Sequence, residues 1–204
     1  MSSSSTKKIE CRYKIGYADP AYSFPKSGGT KSSRGLAKNF YSTMTIEEIK
    51  NLQVNGVPVK QIFDDDSTMF LWIPHSLVIH LKEIWDAWGF THFGKAFEWR
   101  KMEKSGKEFF GMGYRVRANS ESCWLGIRGK PRVFAHNVRE NYAESVEEII
   151  QEHSVKPDIF RQRIVQLCGD LPRIELFARI KPQGWDVFGN DSRLQNNPLE
   201  VFSQ

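Results

Sequence analysis

Cysteine is scarce in this chain, and what there is lies far apart. Cys11, Cys123 and Cys168 are odd in number among 204 residues, with no C-x-x-C pair. That excludes the disulfide framework of a small secreted domain and the paired-thiolate zinc sites. The five histidines have no metal-ligand spacing; His75, His80, His92 and His136 read as structural or surface residues. No apolar run reaches the ~20 residues needed to cross a bilayer. The first eight residues, Met-Ser-Ser-Ser-Ser-Thr-Lys-Lys, lack the apolar core of a signal peptide. These absences predict a cytoplasmic protein without a membrane partner.

What is present is ordinary globular material: 40% hydrophobic and 26% charged residues. The length suits a single domain, which we place at 11–191, with a frayed tail over 1–10 and a second tail over 192–204. The net charge of +5 is unevenly spread. Residues 1–38 hold eight Lys/Arg against two acids, residues 92–132 hold ten against four, and the remainder is acidic. Two separate basic segments suit a polyanion, because phosphate attraction needs charge but no sequence.

Tyr13 to Ala18 reads as a short strand. After it, Ser23 to Asn39 is rich in Ser, Gly and Lys and too polar to pack. Thr45-Ile46-Glu47-Glu48 has the form of a capping box opening a short helix through Leu52. Ser67 to Pro74 is a continuous apolar run suited to a strand covered on both faces. Ser76 to Trp88 carries an apolar stripe, Leu77, Val78, Leu81, Ile84, Trp85 and Trp88, closed by Gly89. Thr91 to Trp99 and Ser122 to Ile127 read as strands around a basic loop, Pro157 to Cys168 as a helix, and Arg173 to Ala178 as a late strand. Strands alternating with helices predict an α/β fold, mainly a parallel sheet with helices on both faces.

The most informative stretch is Tyr17-Ala18-Asp19-Pro20-Ala21-Tyr22. Asp-Pro ends the strand, fixing a carboxylate, a carbonyl and a ring at its carboxyl end, where open α/β sheets bind ligands. Asp19 and the Pro20 carbonyl can accept the two hydrogens of an exocyclic amine while Tyr22 stacks on the ring that bears it. Alone, the segment also describes a strand-ending turn with a buried tyrosine.

In order and spacing, several segments together resemble the permuted, β-class N6-adenine methyltransferases. That family includes phage and bacterial DNA adenine methylases and the catalytic subunit of the eukaryotic mRNA adenosine methyltransferase. The segments are YADPAY (17–22), FYSTMTIEEI (40–49), FLWIP (70–74), WDAWGF (85–90), GKEFFGMGY (106–114), NSESCWLGIRGKP (119–131), EHSVKPD (152–158), LPRIELFAR (171–179) and GWDVFGN (184–190). The likeness is strongest to the phage-type enzymes.

The resemblance implies a Rossmann-like methyltransferase fold using S-adenosylmethionine, with the catalytic turn early and the cofactor strand late. It implies Asp19, Pro20, Ala21 and Tyr22 as the catalytic motif. It implies Asp19, Lys156, Phe177, Arg179 and Asn190 as cofactor contacts, with His153 shaping that site and Glu10 a weak candidate for the cofactor's adenine. Arg100, Lys101, Lys104, Arg115, Arg117 and Glu121 match segments on the nucleic-acid face. Ala21 stands where the family usually has a second proline, which frees a φ angle and predicts a looser loop. The glycine-rich Gly-x-Gly loop of other nucleotide folds is missing after Ile174–Ala178, as is usual in this family.

The expected reaction is methyl transfer to adenine N6 in DNA, the base being flipped from its stack. The same chemistry on RNA stays open, as does a non-catalytic nucleic-acid-binding relative. Cytosine C5 methylation is disfavoured because no cysteine follows a proline, and cytosine N4 methylation because Asp19 replaces the usual serine. Some relatives work as pairs, so a homodimer is an open expectation.

Overall fold

The computed structural model describes residues 13–24, 43–111, 116–131, 142–150 and 155–189. Its first strand, β1 (Tyr13–Ala18), has the predicted bounds. The next element is α1 (Ile46–Lys50), where Thr45 Oγ1 accepts the Glu48 N–H and the Glu48 carboxylate accepts the Thr45 N–H, completing the capping box. A hairpin of β2 (Gln53–Val54) and β3 (Val57–Pro58) turns through Asn55 and Gly56, both at positive φ. One helical turn, α2 (Val59–Ile62), leads into β4 (Phe63–Ile73), longer than predicted because the strand starts ahead of Asp64-Asp65-Asp66.

The helix expected over 76–88 is two pieces. A 3₁₀ segment, His75–His80, precedes α3 (Leu81–Trp88), which Gly89 ends in the left-handed region. Three residues per turn shift the apolar phase at the junction. Leu77 is buried, whereas Val78, expected in the stripe, is 37% exposed.

The chain continues through β5 (Thr91–Met102), β6 (Ser120–Arg128), β7 (Ser145–Ile149), α4 (Ile159–Cys168), β8 (Arg173–Leu176) and β9 (Asp186–Phe188). The late strand stops two residues earlier than expected because Phe177 is at φ 62°. Pro157 lies just outside α4, ahead of its N-cap Asp158.

Seven strands form one sheet in the order β7-β5-β6-β4-β1-β8-β9. β6 pairs antiparallel with both neighbours and the other pairings are parallel. Alternate residues of the central strands feed two cores. Ala18, Met69, Leu71 and Ile73 pack with Ile49, Ile84, Trp85 and Trp88 from α1 and α3. Ile15, Tyr17, Phe70 and Trp72 pack with Phe160, Ile164 and Cys168 from α4. Both faces are therefore covered, as the unbroken apolar run of β4 predicts, and the architecture is a Rossmann-like methyltransferase fold. No helix among the described residues is long and apolar enough to cross a membrane.

Candidate active site

β1 sits between β4 and β8, so the chain runs from it to opposite sides of the sheet. At such a switch point the loops beyond the strand ends diverge and leave a crevice. A cavity of about 230 Å³ occupies that place, lined by Asp19, Pro20, Ala21, Tyr22 and Phe24 after β1 and by Trp72, Ile73 and Pro74 at the end of β4. Glu121, Lys156 and Arg179 complete its polar wall. Because β6 runs antiparallel, its first residues, Glu121 among them, lie at the same edge as the last residues of β4: Ile73 pairs with Ser122.

The turn after β1 is tied from outside rather than loose. Met44 N–H donates to the Ala21 carbonyl at 2.7 Å and the Ser23 N–H to the Met44 carbonyl at 2.7 Å. Tyr22 donates its hydroxyl to the Trp72 carbonyl at 2.9 Å and is only 5% exposed. The φ freedom that alanine allows at position 21 is thus restrained by a backbone bridge and a buried anchor. The hexapeptide is both things its composition suggested, a strand-ending turn with a buried tyrosine and the lip of a ligand cavity.

Four charges alternate in a row, three of them on residues that line the cavity. Lys101 Nζ lies 2.5 Å from Glu121 Oε1, Lys156 Nζ lies 3.0 Å from Glu121 Oε2, and Lys156 Nζ lies 2.7 Å from Asp19 Oδ1. Burial alone would raise the Glu121 carboxyl, but the Lys156 and then the Lys101 ammonium outweigh it and hold it at about 2. Burial likewise opposes a charge on Lys156, yet Asp19 and Glu121 raise its pKa above the ordinary lysine value. The same ammonium sits 5.2 Å from the Trp72 ring centroid. Lys156 is therefore a fixed, ionised, buried cation aimed into the cavity.

A second buried ion pair supports the floor. Arg161 on α4 grips Glu175 on β8 through two 2.7 Å hydrogen bonds, the bidentate form that offsets the cost of burying charge. Burial pushes the Glu175 carboxyl upward, while the Arg161 fork opposes it. Tyr17 lies between this pair and the cavity wall: its ring faces Arg161 and its hydroxyl accepts the Trp72 indole N–H at 2.9 Å. Neither charge had a local sequence signal, because α4 and β8 meet only in three dimensions.

Of the residues expected for the cofactor, Asp19, Lys156 and Arg179 converge on the cavity. Phe177 does not line it and packs on the core of α1 and α3. Asn190, Glu10 and His153 lie outside the described residues, as does His136. Among the other histidines, His75 bonds Ser122 Oγ at 2.7 Å, His80 bonds Glu83, and His92 packs on Trp124.

The expected nucleic-acid face is an arm between β5 and β6, extended by bridges Met102–Glu108 and Gly111–Ala118. Its cations divide into two kinds. Arg100 is paired with Glu108 and with Glu147, the latter at 2.6 Å, and Lys101 with Glu121. Arg117 donates to the Phe110 and Gly111 carbonyls at 2.6 and 2.7 Å, clipping the arm's own backbone. Lys104 is exposed at the arm's turn, joined by Lys107, which sequence alone does not distinguish from its basic neighbours. Arg115 lies outside the described residues. Phe24 was also missed, since an isolated aromatic before a polar loop carries no periodic signal.

Comparison with known proteins accords with this geometry. The family model described as MT-A70 matches residues 14–191. The chain is 26% identical over 214 residues to the Type II methyltransferase M.MunI from Mycoplasma sp, covering 95% of this chain and 82% of that protein. It is 25% identical over 158 residues to the N(6)-adenosine-methyltransferase subunit METTL3 of Danio rerio, covering 74% of this chain but a quarter of that protein.

Proposed function

Because this chain belongs to the MT-A70 adenine methyltransferase family, we propose that it transfers a methyl group to the N6 amine of adenine in DNA. The observation that carries the reading is the Asp19–Lys156 pair, a carboxylate and an ammonium 2.7 Å apart at the sheet's switch point.

That pair fits the methyl donor used by this family generally, S-adenosylmethionine, whose methionine end bears one ammonium and one carboxylate. Lys156 would hold the carboxylate and Asp19 the ammonium, with Arg179 on the adjoining wall. When bound, the donor supplies an electrophilic methyl group on a sulfonium. The protein's own part is to position the acceptor. Lys156 engages Oδ1 of Asp19, and a carboxylate has about four acceptor sites, so the acid can take an N–H of the target amine as well. Pro20 also lines the cavity, and its carbonyl would take the other. Two acceptors favour a pyramidal nitrogen and stabilise the positive charge that grows on it. Neither a metal nor a covalent enzyme intermediate is required by this route.

DNA is preferred to RNA because the M.MunI match spans most of both chains, whereas the METTL3 match spans a quarter of that protein. Ala21, in place of the family's usual proline, favours a second reading, a nucleic-acid-binding module without transfer. One assay separates them: incubate the protein with labelled S-adenosylmethionine and either DNA or RNA, digest, and identify the modified nucleoside. N6-methyladenine from DNA is expected. The modified base from RNA alone would move the substrate, and donor binding without transfer would leave only the module.

A further inference from the structure

A histidine, a serine and a glutamate meet at the edge of the cavity without lining it. His75 follows Pro74 of the cavity wall, and Ser122 follows Glu121 of the same wall. Glu98 on β5 pairs with Ser122 on β6. Ser122 is 3% exposed, whereas the His75 side chain is 57% exposed. The buried half of this group is therefore fixed, and its outer member faces solvent beside the ligand site.

The protons of the group have one arrangement. Burial alone would raise the Glu98 carboxyl, but hydrogen bonds from Ser120 and Ser122, with Lys95 and His75 nearby, hold it below the usual carboxylate value. An ionised carboxylate only accepts, so Ser122 donates its single hydroxyl proton to Glu98 Oε2. The serine oxygen can then only accept from the ring, and His75 Nε2, 2.7 Å away, carries a hydrogen. Nδ1 is left as the nitrogen that gains or loses a proton. It is an acceptor in the neutral ring and a donor in the imidazolium. A phosphate oxygen is repelled by the first form and bound by the second. The charged groups facing the ring are Glu98, whose Oε1 lies 3.9 Å from Nε2, and behind it Lys95, which Glu144 also engages.

We propose that His75 is a nucleic-acid contact: its imidazolium Nδ1 binds a backbone phosphate flanking the adenine held in the cavity. A base in the cavity leaves its sugar and phosphates outside the mouth, where His75 stands. Ser122 and Glu98 act through the ring, selecting the nitrogen that faces the phosphate. The proposal rests on the adenine-methylation reading, and it makes part of the affinity for DNA depend on pH, because histidine ordinarily changes charge between pH 5 and 8.

The test measures binding of a fluorescent, adenine-containing duplex to the full chain over a range of salt, at pH 6 and pH 8, with S-adenosylhomocysteine filling the donor site. The variants are His75→Gln and His75→Lys. Wild type should bind more tightly at pH 6 by roughly threefold to tenfold. Its slope of log K against log[salt] should be steeper there by as much as about 0.9, one phosphate's share. His75→Gln should lose the difference in affinity and in slope between the two pH values. His75→Lys, charged throughout, should keep the steep slope and the tight binding at both.

A wild-type response to pH in His75→Gln overturns the proposal and leaves the methylation reading intact. So does failure of His75→Lys to restore tight binding at pH 8. A lower thermal midpoint in His75→Gln with its salt slopes unaltered would make the group a structural tie and likewise overturn it. Absence of salt-dependent DNA binding by the wild-type protein at either pH would overturn the DNA reading and this one with it.

Discussion

Glu121 divides its carboxylate between two ammonium groups, and that division has a pH signature. Its folded value of about 2 lies below the ordinary 4.5, so the ionised form stabilises the fold. The contribution is complete above about pH 4.5 and is lost as pH falls towards 2, a total of roughly 3 kcal/mol at ~1.4 kcal/mol per unit. In urea unfolding, the stability gap between wild type and Glu121→Gln should be largest near pH 6 and shrink by roughly half or more at pH 3. A gap independent of pH would mean that the lysines do not hold Glu121 ionised. On the proposed reading Asp19 has a different signature, because its charge would serve the reaction. Asp19→Asn keeps an acceptor for Lys156 and removes the negative charge that a developing ammonium needs. We expect kcat to fall by about 10²–10⁴ with the melting temperature little changed. Undiminished turnover would remove Asp19 from the mechanism.

The carboxyl end of α3 is held by a side chain from across the sheet. Arg128 at the end of β6 donates to the Trp88 and Gly89 carbonyls and to those of Lys60 and Phe63, and its guanidinium lies over the Phe90 ring. One cation thereby satisfies helix-end carbonyls that have no partner within the helix and joins α2, α3, β4 and β6. Arg128→Met should cost about 2–4 kcal/mol, several hydrogen bonds at ~0.5–1.5 kcal/mol each. That would be seen as a lower urea midpoint with an unchanged slope. The sequence pattern shows α3 and its Gly89 stop, but it cannot show Arg128 there, since 39 residues separate it from Gly89. The same distinction runs through the other elements. β1, the capping box and β4 were legible because their signals are local: Asp-Pro, Thr-x-x-Glu, an apolar run. The hairpin at Asn55-Gly56 carries an equally local signal, the Asn-Gly dipeptide of a two-residue turn, which the strand and helix periods on either side do not reveal. β7 and β9 are short edge strands with modest apolar content, defined by the neighbours they pair with. Val78 departs from the stripe for another reason: residues 75–80 wind as 3₁₀, so an α-helical period does not hold for them.

For the molecule as a whole, the charge distribution along the sequence and the charge available at the surface are different quantities. The basic segment over 92–132 suggested a phosphate-binding face, yet folding commits much of it internally. Arg100 faces two carboxylates, Lys101 is paired with Glu121, Arg117 clips its own arm and Arg128 caps α3. Composition does not separate these from Lys104 and Lys107, because it counts charges and not partners: some of these lie on β6, β7 and α3, and others on the facing side of the same arm. On the proposed reading, only cations that replace counterions on phosphate contribute to the salt dependence of DNA binding, each by a slope of about 0.9 in log K against log[salt]. The double substitution Lys104→Ala, Lys107→Ala should therefore reduce that slope by about 2 and weaken binding evenly across sequences. Arg100→Gln, which removes one positive charge from an ion-paired position, should leave the slope nearly unchanged while lowering the melting temperature. Titrating fluorescent duplex over a range of salt with the three proteins reads both outcomes. A slope change of about 0.9 from Arg100→Gln, equal per charge to that from the lysines, would mean that the arm rearranges on DNA and releases its internal ion pairs to the phosphates.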